Sequence, residues 1–177
     1  HQRELNHVPL MRDLFLKQSE SDRLAVIEMP LGSWLLDLPE IQDLKEQSYG
    51  QEFQITDFCE FGLKDPENKL PHRRSTALLA TFPLQRALKA CSGHNGKAHQ
   101  WTKGNLSKQY GNVSRLGYSQ RWTPMFCRDL MEDFVDSLNP LRQSLPGTHQ
   151  SHNLHTRSTH GYQRKVAEAY PGFEGCR

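Results

Sequence analysis

The chain has 177 residues, enough for one domain of ordinary size. Twenty-two basic against 20 acidic residues leave a net charge of +2, which excludes a strongly cationic, nucleic-acid-coating polypeptide. Hydrophobic residues make up 36% and mean hydropathy is -0.75, and no apolar run approaches the length of a membrane span.

The apolar residues concentrate over 8–138. That predicts a folded unit over residues 1–138 and a polar, disordered tail over 139–177. Cys59, Cys91, Cys127 and Cys176 are widely and irregularly spaced. This is not a small disulfide-dense chain, so reduced thiols in an intracellular compartment, cytoplasm or nucleus, are expected. The chain has no signal-peptide pattern and opens on His1 in mid-pattern, which suggests a piece of a longer product.

Residues 8–20 carry Val8, Leu10, Met11, Leu14, Phe15 and Leu16 at helical spacing, with Pro9 suited to a first turn. Residues 24–29 form a short apolar run with β-branched Val26 and Ile27, expected as a buried strand ended by Pro30. Residues 34–46 space Trp34, Leu35, Leu38, Ile41 and Leu44 helically, but Pro39 divides them into two short pieces. A strand is expected over 52–58. Asp65-Pro66-Glu67-Asn68 is a turn, making 58–63 and 75–82 the arms of a candidate antiparallel hairpin. Pro83 is expected to open a helix running to Cys91.

Residues 92–122 form a long basic loop rich in Gly, Asn, Ser and Lys, a length unusual in compact domains. Thr123-Pro124 marks the start of a helix over 124–138, with Phe126, Leu130, Met131, Phe134 and Leu138 along one stripe. Beyond Pro140 a core-forming pattern is missing, save for a short helical stretch at 162–170. The order of elements suits one half of an α/β sheet with flanking helices.

Two side-chain patterns carry chemistry. Cys91, His94 and His99 have metal-like spacing, and zinc takes four such ligands in a tetrahedron. Cys59 or Cys127 would supply the fourth. The competing reading is a helix-ending cysteine followed by polar loop histidines. His149, His152, His155 and His160 are near-regular too, but their Gly, Ser and Asn neighbours do not suit a helix, and only adventitious metal binding is expected there.

The second pattern is electrostatic. Asp and Glu are absent between Glu67 and Asp129, a stretch holding Arg73, Arg74, Lys97, Lys103, Lys108, Arg115 and Arg121 with Trp101, Tyr110 and Trp122 interleaved. Cations that meet phosphates beside aromatics that stack on bases make a nucleic-acid surface, for DNA or RNA. The competing reading is a solvated basic face.

Several motifs occur in order: Val26-Ile27-Glu28-Met29-Pro30 before Gly32-Ser33-Trp34; Asp57-Phe58-Cys59-Glu60-Phe61-Gly62; Arg74-Ser75-Thr76 leading into Leu78-Leu79-Ala80-Thr81; Cys91, His94, His99 and Gly104; then Arg121, Pro124 and Cys127. This series resembles the C-terminal half of methyltransferase-like domains in retroelement polyproteins and phage-type DNA methylases. Those domains are similar to cytosine-5 DNA methyltransferases of the Rossmann-like class. The resemblance spans roughly residues 8–138 and implies a partial Rossmann-like sheet whose missing N-terminal half lies upstream.

It also implies roles. Glu28 would stand where the family's glutamate contacts a flipped cytosine, with Met29 replacing the usual asparagine. Arg74 and Thr76 would shape the pocket or contact the backbone of the nucleic acid, with Arg73, Lys103, Arg115 and Arg121 further along the same surface. The family's glycine-rich S-adenosylmethionine loop and its Pro-Pro-Cys nucleophile loop do not occur in this chain. Methyl transfer from S-adenosylmethionine to a DNA base is therefore expected only of a complete protein, and this chain by itself is expected to be inactive. The alternative expectation is a zinc-stabilised nucleic-acid-binding module.

Overall fold

A computed structural model describes residues 7–139. The expected tail, its histidines and the helical stretch at 162–170 lie outside the described residues.

The architecture is mixed helix and strand, built on a three-stranded antiparallel sheet. Helix α1 (Val8–Glu20) leads into β1 (Val26–Pro30). A run of short helical turns follows, Trp34–Asp37, α2 (Pro39–Gln42) and Asp43–Gln47. Pro39 sits in the first turn of α2, so the interruption read from the sequence is present. Then come β2 (Gln54–Asp57), a 3-10 turn at Phe58–Phe61, and β3 (Ser75–Ala80). After a long irregular segment, α3 (Arg115–Ser119) and α4 (Pro124–Leu138) complete the described chain.

The strand order is β1-β3-β2, with β3 antiparallel to both neighbours. It follows that β1 and β2 run parallel to each other without touching. β3 pairs Leu78 with Glu28 on one side and with Gln54 on the other. As the central strand it is covered on both faces, which is why Ala77, Leu78, Leu79 and Ala80 form an unbroken buried run. Side chains alternate between the faces. Leu78 and Ala80 join Phe58, Phe61, Phe82 and Phe126 under α4. Leu79 and Met29 join Val8, Phe15, Ile41 and Leu44 under α1 and the 34–47 turns.

Two expectations are corrected. The segment 58–63 is not a hairpin arm: β3 pairs instead with Gln54–Asp57, and the chain turns tightly at Phe58–Phe61, with Gly62 left-handed at φ 77°. The Asp65 turn does form, the Asp65 carboxylate accepting the N–H groups of Glu67 and Asn68.

The segment from Pro83 to Cys91 is not a helix. Its backbone donors have better partners elsewhere. Asp133, buried on α4, accepts N–H bonds from Gln85, Arg86 and Ala87 at 2.9–3.1 Å. Further on, the Lys89 N–H donates to Thr56 Oγ1, and the Lys89 carbonyl accepts from the Asp57 N–H at 2.8 Å. The segment thus turns at residues 85–87 and then passes the outer edge of β2 at Lys89.

Helix α4 follows its sequence signals. Thr123 accepts from the Phe126 N–H, Pro124 occupies the first turn, and Phe126 and Leu130 face the core.

Candidate metal centre and the polar groups around it

The passage of Lys89 beside β2 delivers Cys91 to the end of that strand. The Cys91 N–H donates to Asp57 Oδ2 at 2.7 Å, and the Ser92 N–H and hydroxyl both donate to Glu60 Oε1. The chain then turns through four consecutive left-handed residues, Gly93, His94, Asn95 and Gly96, at φ 84°, 46°, 57° and 78°. His94 and Asn95 carry side chains into a region that disfavours them, strain that persists only where surrounding contacts hold it. The strand-like return is fixed by Gln100, whose carbonyl accepts from the Arg73 N–H and whose N–H donates to the Pro71 carbonyl.

These turns bring four ligand-type side chains together. Cys59, on the turn after β2, meets Cys91, His94 and His99 from the loop, and one ligand atom from each lies within 4.8 Å of all the others. Cys91 Sγ and His99 Nε2 are 3.3 Å apart. The His94 and His99 rings meet edge to face at 5.0 Å. Tetrahedral zinc with sulfur at about 2.3 Å and nitrogen at about 2.0 Å sets its ligands roughly 3.3–3.8 Å apart. Small shifts supply that geometry, the wider pairs closing from up to 4.8 Å and the 3.3 Å Cys91–His99 pair opening slightly.

The electrostatics suit a metal. Burial pushes the Cys59 thiol well up, and neighbouring Cys91 pushes it the same way, so without a cation the Cys59 thiol stays protonated. Burial lowers the His99 imidazole, helped by His94 and Arg73, which keeps it in the neutral form that ligates. Glu60 is raised by partial burial, but the Ser92 donors and His94 outweigh this and hold it below the usual carboxylate range. His94 Nε2 is buried with no hydrogen-bond partner, 3.6 Å from Glu60 Oε1. A cation in the cluster resolves that orphan in one of two ways. It coordinates Nε2 itself, or it fixes the ring through Nδ1 and turns Nε2–H toward Glu60.

Of the sequence candidates, Cys91, His94 and His99 therefore converge, and Cys59 rather than Cys127 is beside them. The supporting acids Asp57 and Glu60 stand in the Asp57–Gly62 motif on either side of Cys59, but nothing in the sequence assigns them this role.

The basic candidates divide. Arg74 is buried, with Nη2 donating to Glu28 Oε1 at 2.7 Å, Nη1 to the Ser119 carbonyl at 2.6 Å, and its carbon over the Phe58 ring at 4.4 Å. Thr76 is buried too, its single hydroxyl proton shared between Glu28 Oε1 and the Met29 carbonyl. Arg115 is committed to Asp65 and Glu67. The acid-free stretch is thus partly neutralised by acids from outside it, Arg86 by Asp133 and Asp136 and Lys89 by Asp129 among them. Lys97, Lys103, Lys108 and Arg121 remain exposed, and Arg73 stacks over Trp101 at 4.9 Å.

Compared with models of known protein families, with curated proteins and with solved structures, the chain matches none of them.

Proposed function

We propose that this chain is a zinc-stabilised nucleic-acid-binding module, with Cys59, Cys91, His94 and His99 as the four ligands. The observation that carries the reading is the convergence of those four side chains from two segments more than thirty residues apart in sequence. A metal there ties the basic loop to the end of β2. It thereby sets exposed Trp101, with Arg73 stacked on it, and neighbouring Lys103 in a fixed arrangement. Stacking rings beside cations suit a single strand of DNA or RNA.

Two measurements test this. Elemental analysis of protein produced in zinc-containing medium is expected to give about one zinc per chain, lost in Cys59→Ser and His94→Ala. Binding of a labelled single strand is expected to weaken steeply as salt rises. Metal-free wild-type protein sinks the zinc centre, and no binding at low salt sinks the nucleic-acid role.

One observation favours a second reading, the methyltransferase lineage, although the sheet of the described residues is antiparallel where a Rossmann-like sheet is mostly parallel. Glu28, Arg74 and Thr76, picked out together by resemblance, meet in space, and both donors use Oε1 of Glu28. Oε2 has no protein donor among the described residues and is oriented by its neighbours, as a base-contacting carboxylate would need. S-adenosylmethionine and the nucleophile would have to be held by residues outside this chain. Methyl transfer to DNA by the full-length gene product, abolished in Glu28→Gln, would support this reading. Undiminished transfer in that variant would end it.

A further inference from the structure

A concave site lies between the turn at 62–69 and the segment leading into α4. It encloses about 490 Å³, a size suited to a small organic ligand. Its floor is apolar: Phe61, and Met125 and Trp122, which are 41% and 44% exposed. Trp122 is held edge-to-face by Phe126, with ring centroids 5.4 Å apart, leaving a large part of the indole open to a ligand. Gly62 brings the backbone close to Met125, whose sulfur lies 3.5 Å from where a Cβ would stand.

The rim is cationic. Lys64 and Arg121 are exposed, and Arg121 is braced over the Tyr118 ring at 4.8 Å. Lys69 also reaches the cleft, with one of its ammonium donors given to the Pro66 carbonyl at 2.6 Å. The lining holds one acid, Asp65. Its carboxylate is fully buried, accepts two backbone N–H bonds and pairs with Arg115 at 2.8 Å, so it presents no free negative charge to the cleft. A flat, half-open indole under a positive rim matches one ligand chemistry: a planar apolar ring that carries an anion.

We infer that this cleft binds a nucleotide unit, its base stacked on Trp122 and its phosphate held by Arg121 and Lys64. The inference rests on the nucleic-acid half of the proposed function and is independent of the zinc. The unit is either a free nucleotide or one base of a strand.

The test is photo-crosslinking of the whole chain to a single strand of about 12 nucleotides carrying one iodouracil, with the adduct mapped by mass spectrometry. Uridine monophosphate serves as competitor. The adduct is expected on Trp122 or Tyr118. Trp122→Ala is expected to weaken strand binding roughly 5- to 150-fold, the range that base–aromatic stacking supplies. Because Trp122 also packs on Phe126, Arg121→Glu provides a second, exposed variant, expected to weaken binding while leaving the melting temperature unchanged. Competition by the mononucleotide identifies a free-nucleotide site; adduct formation without competition identifies a strand base, and either supports the inference. An adduct confined to Trp101 or the 97–108 loop, or unchanged affinity in both variants, overturns it while the broader nucleic-acid role survives. Failure of the strand to bind at all removes both.

Discussion

Removing one member of a buried ion pair costs more than the pair contributes, because the partner is left charged and dry. Arg74 and Glu28, whose side chains are 8% and 15% exposed, form such a pair. Glu28→Ala is expected to destabilise the fold by about 3–5 kcal/mol in denaturant titrations, and Glu28→Leu combined with Arg74→Met to recover much of that loss. Two independent, additive losses would show that the pair is not coupled. The two thiols of the metal centre should also differ. Cys91 is exposed and Cys59 is buried with its thiol pushed up. In protein stripped of metal by a chelator, an alkylating reagent is expected to modify Cys91 well before Cys59; equal rates would contradict the burial. At this scale the sequence shows Cys91, His94 and His99 by their local spacing. It leaves the fourth ligand open, because the approach of Cys59 depends on a chain path that no short window contains.

Helix α4 is the element whose role outside itself is largest. Its N-cap is local: Thr123→Ala is expected to cost about 1 kcal/mol, measurable as a small fall in thermal midpoint. Asp133 acts at a distance, holding three N–H groups of the segment after Pro83. Asp133→Ala orphans all three and is expected to cost roughly 2–3 kcal/mol. If the cost were no greater than that of an exposed surface change, the segment would not depend on this carboxylate. The same contrast separates what was legible from what was not. Helices α1 and α4 carry their own periodicity and first-turn prolines, and α4 its Thr123 cap as well, so their bounds follow from sequence. The segment 83–91 has a helical start signal and apolar spacing of its own, yet its donors are captured by residues 33 to 48 positions away. β3 likewise shows itself as a strand, but its partners are chosen by which apolar faces α1 and α4 cover.

Across the whole molecule, proton uptake should weaken the fold on the acid side. His72 is fully buried with neither ring nitrogen hydrogen-bonded, and its Nε2 is 3.9 Å from Asp65. Burial lowers it below the ordinary 6.5, Arg115 adding to this and Asp65 opposing it. The unfolded chain then takes up a proton near that value while the folded one resists, so stability falls as pH drops below about 6.5. The lowered carboxyls of Asp65, Glu67 and Asp129 contribute stability above their unfolded values, and that contribution is lost as pH falls further. His72→Phe is expected to flatten only the upper part of this decline in melts taken from about pH 7 to pH 5. An unchanged slope would show that His72 does not titrate on unfolding.

The sheet itself has unequal borders. Beyond β2, the backbone of Lys89 occupies the outward Asp57 N–H. Beyond β1, alternation of the ladder points the Val26 and Glu28 backbone groups away from β3, and no strand lies beside them among the described residues. Growth of a fibre requires a donor surface at one end of each unit and an acceptor at the other. A sheet sealed on one side offers neither repeat. If two copies join through β1, they do so about a twofold axis, and the product is a closed six-stranded sheet with nothing left to extend.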